Sequence, residues 1–395
     1  VIGRRNFYFI WLSQFFAITG FAFALPFAPY YIQDLGVTDE TALKWWVALF
    51  GAATPLALAV ASPLWGAASD RFGHRLMLLR ANFCGAVIMA LMGAIQSVES
   101  LIVLRLLQGA LTGTFTAAQI MVAASVPPNR SGSALGSLNA AVFSGAMVGA
   151  ALGGWVTTFT GFRAAFLVGG ALILLAAFFI LFGTEDVPIP DEDAPSADLV
   201  KEKKLRRSAF HIATPILLLL LCASFVRQFD TTLMPLLVQE IHGSIEGASM
   251  RTGLLFAISG VAGIAANIYL GRLADRVHPS RIGFYSAIGA AIMMVPQGLA
   301  MAVWMLYPSR FIMMFCAGGL ESAIQIWLAK ITPRPYKGLI FGWASTARAI
   351  GWVAAPLCSG GIAVYYGIRG IYFVGAVLFL LLVPILLYTL KRRPA

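Results

Sequence analysis

Gly66-Ala67-Ala68-Ser69-Asp70-Arg71-Phe72-Gly73-His74-Arg75 is answered, 205 residues later, by Gly271-Arg272-Leu273-Ala274-Asp275-Arg276. Arg105 and Arg310 stand at the same separation. A neighbouring register, offset by 206, pairs Gly132, Gly136, Gly145, Gly161, Arg163 and Gly169 with Gly338, Gly342, Gly351, Gly367, Arg369 and Gly375. Both copies lie in apolar, glycine-rich stretches of helical length. The chain is one hydrophobic unit used twice, and paired membrane halves of this kind are expected to hold a site between them.

Composition agrees. Of the 395 residues 59% are apolar and only 11% charged, against about 25% charged in a soluble domain. Many runs approach the roughly 20 residues that carry a helix across a bilayer. Twelve such spans are expected, near 7–33, 44–68, 76–96, 99–123, 132–158, 163–183, 211–238, 250–271, 282–304, 307–330, 337–363 and 368–390. They divide into an N-terminal six-helix bundle (1–183), a linker (184–210) and a C-terminal six-helix bundle (211–395). The linker is Pro-rich and acidic, then basic through Lys201-Glu202-Lys203-Lys204-Leu205-Arg206-Arg207, a composition suited to water and lipid headgroups.

With both termini in the cytoplasm, 20 of the 28 lysines and arginines fall on the inner side and four outside. That asymmetry sets the orientation. The net charge of +11 is thereby a topology signal, spread over many short segments rather than gathered on one face for nucleic acid. Cys84, Cys222, Cys316 and Cys358 lie singly in apolar runs without metal-ligand spacing. No zinc motif, phosphate loop or nucleophile elbow is present, so an enzyme reading finds no support. The expected partners are a small-molecule substrate and the lipid bilayer.

The Gly66–Arg75 loop, with its copy at Gly271, resembles the signature loop of the major facilitator superfamily. Glycine allows its tight turn, and the acid can sit near a helix N-terminus. The resemblance implies gating by Gly66, Asp70, Arg71, Gly73, Arg75, Gly271, Asp275 and Arg276, with Asp70 and Arg71 locking the cytoplasmic side. Leu101-Ile-Val-Leu-Arg105-Leu-Leu-Gln108-Gly109 resembles the span-4 motif whose arginine is linked to proton coupling. Gly145-Ala-Met-Val-Gly149-Ala150-Ala-Leu-Gly153-Gly154 resembles the span-5 motif of the drug:proton antiporters, but with Ala150 in place of the family proline. Over its whole length the chain is identified as similar to that family. The resemblance implies an all-α membrane protein with twelve transmembrane helices in two pseudo-symmetric bundles, multi-pass in a bacterial inner membrane. It also implies a monomer that needs no cofactor and uses the proton as coupling ion.

Ionisable side chains deep in a bilayer cost about 2.5–3.5 kcal/mol each on insertion scales and face a cavity or a partner. Those near mid-span are Arg227, Asp230, Glu321 and Arg348. Arg227 and Asp230, three apart, are expected to pair along one helix face; Glu321 and Arg348 lie at similar depth on consecutive spans. Burial favours the neutral acid and a neighbouring arginine the carboxylate, so such an acid can take up and release a proton. Proton handling therefore falls to Asp230 and Glu321, with Arg105. Arg310 reads as an interfacial anchor. Candidate substrate-binding residues are Arg227, Arg348, Gln14, Phe23, Tyr30, Gln108 and Trp343. Counting Arg105 and Arg310, the interior holds four cations and two acids.

Three functions are consistent with these residues. The first is proton-driven efflux of amphipathic small molecules or drugs. The second is a carrier of organic anions, siderophores or lipid-like metabolites, in either direction, with an arginine-lined cavity. The third is a membrane receptor that keeps the fold without transport, against which the doubled gate motif argues.

Overall fold

In hydrocarbon a backbone must satisfy its own polar groups, and the helix does so within one segment. The computed structural model describes residues 2–126, 131–185, 199–274, 277–332 and 337–392, and its regular elements are helices. They are α1 (Ile2–Ala24), α2 (Ala28–Asp34), α3 (Glu40–Phe72), α4 (His74–Ala94), α5 (Val98–Leu111), α6 (Thr114–Ser125) and α7 (Ser131–Gly183) in the first half. The second half has α8 (Leu199–Gln228), α9 (Met234–His242), α10 (Ala248–Ala274), α11 (Pro279–Gly298), α12 (Val303–Ile331) and α13 (Lys337–Arg392). Seven stretches among the described residues are long and apolar enough to cross a membrane, and two of them, of 50 and 48 residues, suffice for two crossings each.

Those two are the expected fifth and sixth spans in α7 and the eleventh and twelfth in α13. Each turns at a single glycine: Gly161 (φ 80°, ψ 173°) and Gly367 (φ 73°, ψ 171°). A side chain rarely adopts that φ, and the two glycines are 206 residues apart, so the sequence repeat is a backbone repeat. The first and seventh spans are broken. A 3-10 turn at Leu25–Phe27 separates α1 from α2, and residues 229–233 separate α8 from α9. Pro29 and Pro235, again 206 apart, sit in the first turn of the resumed helices, where the missing N–H costs nothing. The fourth span, expected as one helix, divides at Gly113 (φ 113°) into α5 and α6. Gly73 (φ 84°) makes the turn between α3 and α4, donating its N–H to Ser69 O at 3.0 Å. Helix α8 begins at Leu199, upstream of the expected start of the second bundle at 211.

Within each half the glycine ladder brings two helices together. A Cβ on Gly145 would lie 2.6 Å from Phe15 O, and Gly149 and Gly153 face Thr19 O and Phe23 O one and two turns further on. In the second half Gly351 faces Leu221 O at 2.9 Å. The residues differ by 206 on both sides of the contact. Without a proline at Ala150, the glycines of this motif serve close approach between helices.

The halves meet through the same contact made twice. A Cβ on Gly154 of α7 would meet Ser249 O at 2.7 Å and the Gly253 Cα at 3.1 Å on α10. One on Gly360 of α13 would meet the Ala48 Cβ at 2.5 Å and Lys44 O at 3.5 Å on α3. Every partner shifts by 205 or 206. Gly51 also abuts Thr232 and Pro356, and α2 meets α9, so the end of the bundle that carries Gly161 and Gly367 is sealed. Toward the other end, Gly136 of α7 and Gly342 of α13 have nothing within 4 Å of a built Cβ.

Candidate functional site

Behind the seal, between the two broken spans, lies a cavity of about 280 Å³, at the lower edge of the roughly 300–1,000 Å³ typical of ligand sites. From the first half it takes Ile18, Phe21, Leu25, Pro26, Phe50 and Arg105. From the second it takes Gln228, Thr231, Thr232 and Phe256. Leu25 and Pro26 correspond to Thr231 and Thr232 in the 206 register, so the two breaks face one another. At the breaks themselves one side is apolar and the other carries hydroxyls. Unwound backbone belongs where a cavity accepts it, and broken spans mark binding sites in carriers.

Arg105 is buried on α5 and lines this cavity. Its Nη1 donates to Gln108 Oε1 at 2.5 Å and its Nε to Phe50 O at 3.3 Å, while the guanidinium lies 4.2 Å from the Phe50 ring centroid. It ion-pairs with no carboxylate among the described residues. Gln108 therefore orients Arg105 rather than facing the cavity itself.

The acids are paired differently from the expectation. Arg227 joins Glu321 across α8 and α12 at 2.5 Å, and Asp230 is held by Arg310, not by its helical neighbour Arg227. Along-helix spacing sees only one helix, whereas these pairs form where helices pack side by side. Arg310 is no interfacial anchor. It lies seven residues inside α12, about 10 Å along the axis. It is 0% exposed, and its Nε also donates to Ser259 Oγ at 3.2 Å. Asp230 is 1% exposed. Arg348 is half-buried and donates to Ser345 Oγ of its own helix at 3.1 Å, away from Glu321.

Other expected substrate contacts fall elsewhere. Tyr30 is buried in the seal, with its hydroxyl donating to Pro235 O at 2.7 Å and sharing a hydrogen bond with Thr252 Oγ1 at 2.8 Å. Phe23 packs on Gly153, and Gln14 is buried within the first bundle. Trp343 is 48% exposed on α13, outside the cavity wall. Of the gate residues, Arg75 donates to Leu181 O at 2.7 Å within its own half, and exposed Arg71 stacks on Phe72. Gly66 and Asp70 lie in the helical backbone of α3 and Gly271 in α10, but their side chains are outside the description. Asp275 and Arg276 lie outside the described residues.

Sequence reasoning missed Gln33 and Gln239. Their side-chain amides exchange two hydrogen bonds, at 2.8 and 2.9 Å, across the seal. The 206 offset between them was the available signal. It also missed Thr231 and Thr232, which read as ordinary polar residues until the break in the seventh span brings them to the cavity.

The profile of the Major Facilitator Superfamily matches residues 10–299 and 252–395. Multidrug resistance protein MdtG of Serratia proteamaculans (strain 568) is 32% identical over 397 residues, covering 99% of this chain and 95% of that protein. The human organic anion transporter MFSD10 (TETRAN) has a similar fold, with TM-score 0.70 and 16% identity over 98% of this chain and 100% of that one. So does a bacterial homologue of the human lysosomal transporter Spinster, solved inward-facing and unoccupied (TM-score 0.73, 16% identity, 100% and 98% coverage).

Proposed function

The chain belongs to the major facilitator superfamily and is a membrane carrier, and on that premise we propose that it exports amphipathic small molecules in exchange for protons by alternating access. The observation that carries this reading is the cavity between two breaks related by the repeat, closed at one end by paired contacts between the halves. Two halves joined by small, symmetric contacts can rock about the cavity and seal the opposite end instead. The lysine and arginine bias supports a cytoplasmic position for the opposite end and for both termini, in a bacterial inner membrane. The gate loop around Asp70 and Arg71 then belongs to the state in which that end closes.

Glu321 is the better placed proton carrier. Its partner Arg227 is partly exposed, at 26% of its side chain, whereas the Asp230–Arg310 pair is almost fully enclosed. A proton arriving at Glu321 breaks the pair and frees Arg227, which couples protonation to the packing of α8 against α12. Asp230 serves the same exchange in a state that opens the sealed end to water. The relatives named for multidrug resistance support an export role.

Reconstituted vesicles test this directly. Efflux of a cationic dye is expected to accelerate when a proton gradient is imposed and to lose that response in Glu321→Gln. Dye movement indifferent to the gradient in the unmodified carrier overturns the coupling. A second reading, a carrier of organic anions, is favoured by one feature: Arg105 faces the cavity without a carboxylate.

A further inference from the structure

The two halves treat their equivalent arginines differently. Arg310 has Asp230 as its partner, and Ser259 beside it. Arg105 has Thr54 in the place of Ser259, 205 residues away, with Thr54 Oγ1 donating to Arg105 O at 3.0 Å. The place of Asp230 is taken by Ala24. Its register is fixed on both flanks: Phe15 with Leu221 on one side, Gln33 with Gln239 on the other, each 206 apart. Asp230 closes the break in the second half from within. Its counterpart supplies a methyl group, and Arg105 opens instead onto the shared cavity.

An arginine buried in a membrane bundle requires a counter-charge or hydrogen-bond acceptors to offset its desolvation. Around Arg105 the acceptors are neutral: Gln108 Oε1, Phe50 O and the Phe50 ring. Across the cavity stand Thr231, whose hydroxyl also donates to Arg227 O at 3.4 Å, Thr232 and Gln228, and the remaining wall includes Ile18, Phe21, Leu25 and Phe256. Resting on the carrier reading above, we infer that Arg105, with Thr231 and Thr232, forms a carboxylate-binding subsite that takes the counter-charge missing at Ala24 from the cargo itself. The ligand class is a small amphipathic monoanion, its acid group at Arg105 and its apolar body against Phe21, Leu25 and Phe256.

The purified carrier tests this by equilibrium binding of 4-phenylbutyrate against 4-phenylbutanamide, which has the same body and no charge. The carboxylate is expected to bind tighter by at least about tenfold, the value of a charge-assisted hydrogen bond. Arg105→Gln is expected to bring that ratio close to one, and Arg105→Lys to keep part of it. Ala24→Asp rebuilds the pair found in the second half and is expected to erase the preference while leaving the arginine in place. Equal affinity for both probes in the unmodified carrier overturns the subsite. So does an undiminished preference in Ala24→Asp whose thermal melt matches the parent; if that variant does not fold, the Arg105→Gln and Arg105→Lys ratios decide. Equal affinity for the two probes in an unmodified carrier that still shows gradient-driven dye efflux removes the subsite and leaves the export reading standing. A clear preference with gradient-independent flux does the reverse.

Discussion

At the scale of residues, the buried charges among the described residues include two closed pairs and, in Arg105, a cavity-lining cation without a carboxylate. Asp230 and Arg310 are both almost fully buried, so removing one partner strands the other. Arg310→Met is expected to cost about 3–5 kcal/mol of stability, as for other buried pairs broken from one side. The double variant Arg310→Met/Asp230→Leu is expected to recover most of that loss. Thermal unfolding in detergent reads both, and a double variant no more stable than the single would show that the pair adds nothing beyond its parts. The residue types and depths of these groups were legible in the sequence; their partners were not. Arg227 and Asp230 share a helix face on paper, but the break after Gln228 turns Asp230 toward α12 and leaves Arg227 to Glu321. Averaged hydropathy hides such a break, because the largely polar run Arg227 to Thr232 is flanked by long apolar stretches on both sides.

Elements repeat more faithfully than side chains do. Gly161 and Gly367 were matched by sequence offset alone, and both proved to be turns of the same φ and ψ. The glycine ladder of α7, which resembles the span-5 motif, packs on α1 at Phe15, Thr19 and Phe23. Less legible was Gly154, one residue past that ladder, which faces the other half altogether. A helix advances about 100° per residue, so adjacent glycines serve different neighbours. Gly154→Val adds bulk 2.7 Å from Ser249 O and is expected to pry α7 from α10. Overpacking of about 1–3 kcal/mol shifts the carrier away from the state sealed at this end. Accessibility of a cysteine introduced at Ser249 to a membrane-impermeant thiol reagent should rise in this variant. Gly136→Val, toward the opposite end, meets nothing within 4 Å and should leave that accessibility unraised. Equal labelling of the two variants would show that the Gly154–Gly253 contact does not hold the seal.

Over the whole molecule, the pseudo-two-fold axis passes between Gln33 and Gln239, and there the duplication becomes a mechanical device. Each amide donates to the other's oxygen, so a single residue type, repeated, makes a self-complementary clasp. Tyr30 reaches Pro235 and Thr252 beside it, while the corresponding position in the second half, Leu236, carries no hydroxyl. The clasp is symmetric and its neighbour is not, which lets the two be told apart by mutation. Replacing either glutamine by leucine removes both amide bonds at once, and Gln33→Leu and Gln239→Leu are expected to favour opening of this end by the same amount, about 1–2 kcal/mol. Because the first change already abolishes the reciprocal pair, the double variant is expected to add little, a departure from additivity characteristic of groups in contact. Spin labels at Glu40→Cys and Glu246→Cys, both exposed at this end and on opposite halves, report the opening as a longer inter-label distance. If the two single effects simply sum, the glutamines act separately, and the axis does not run through a shared clasp.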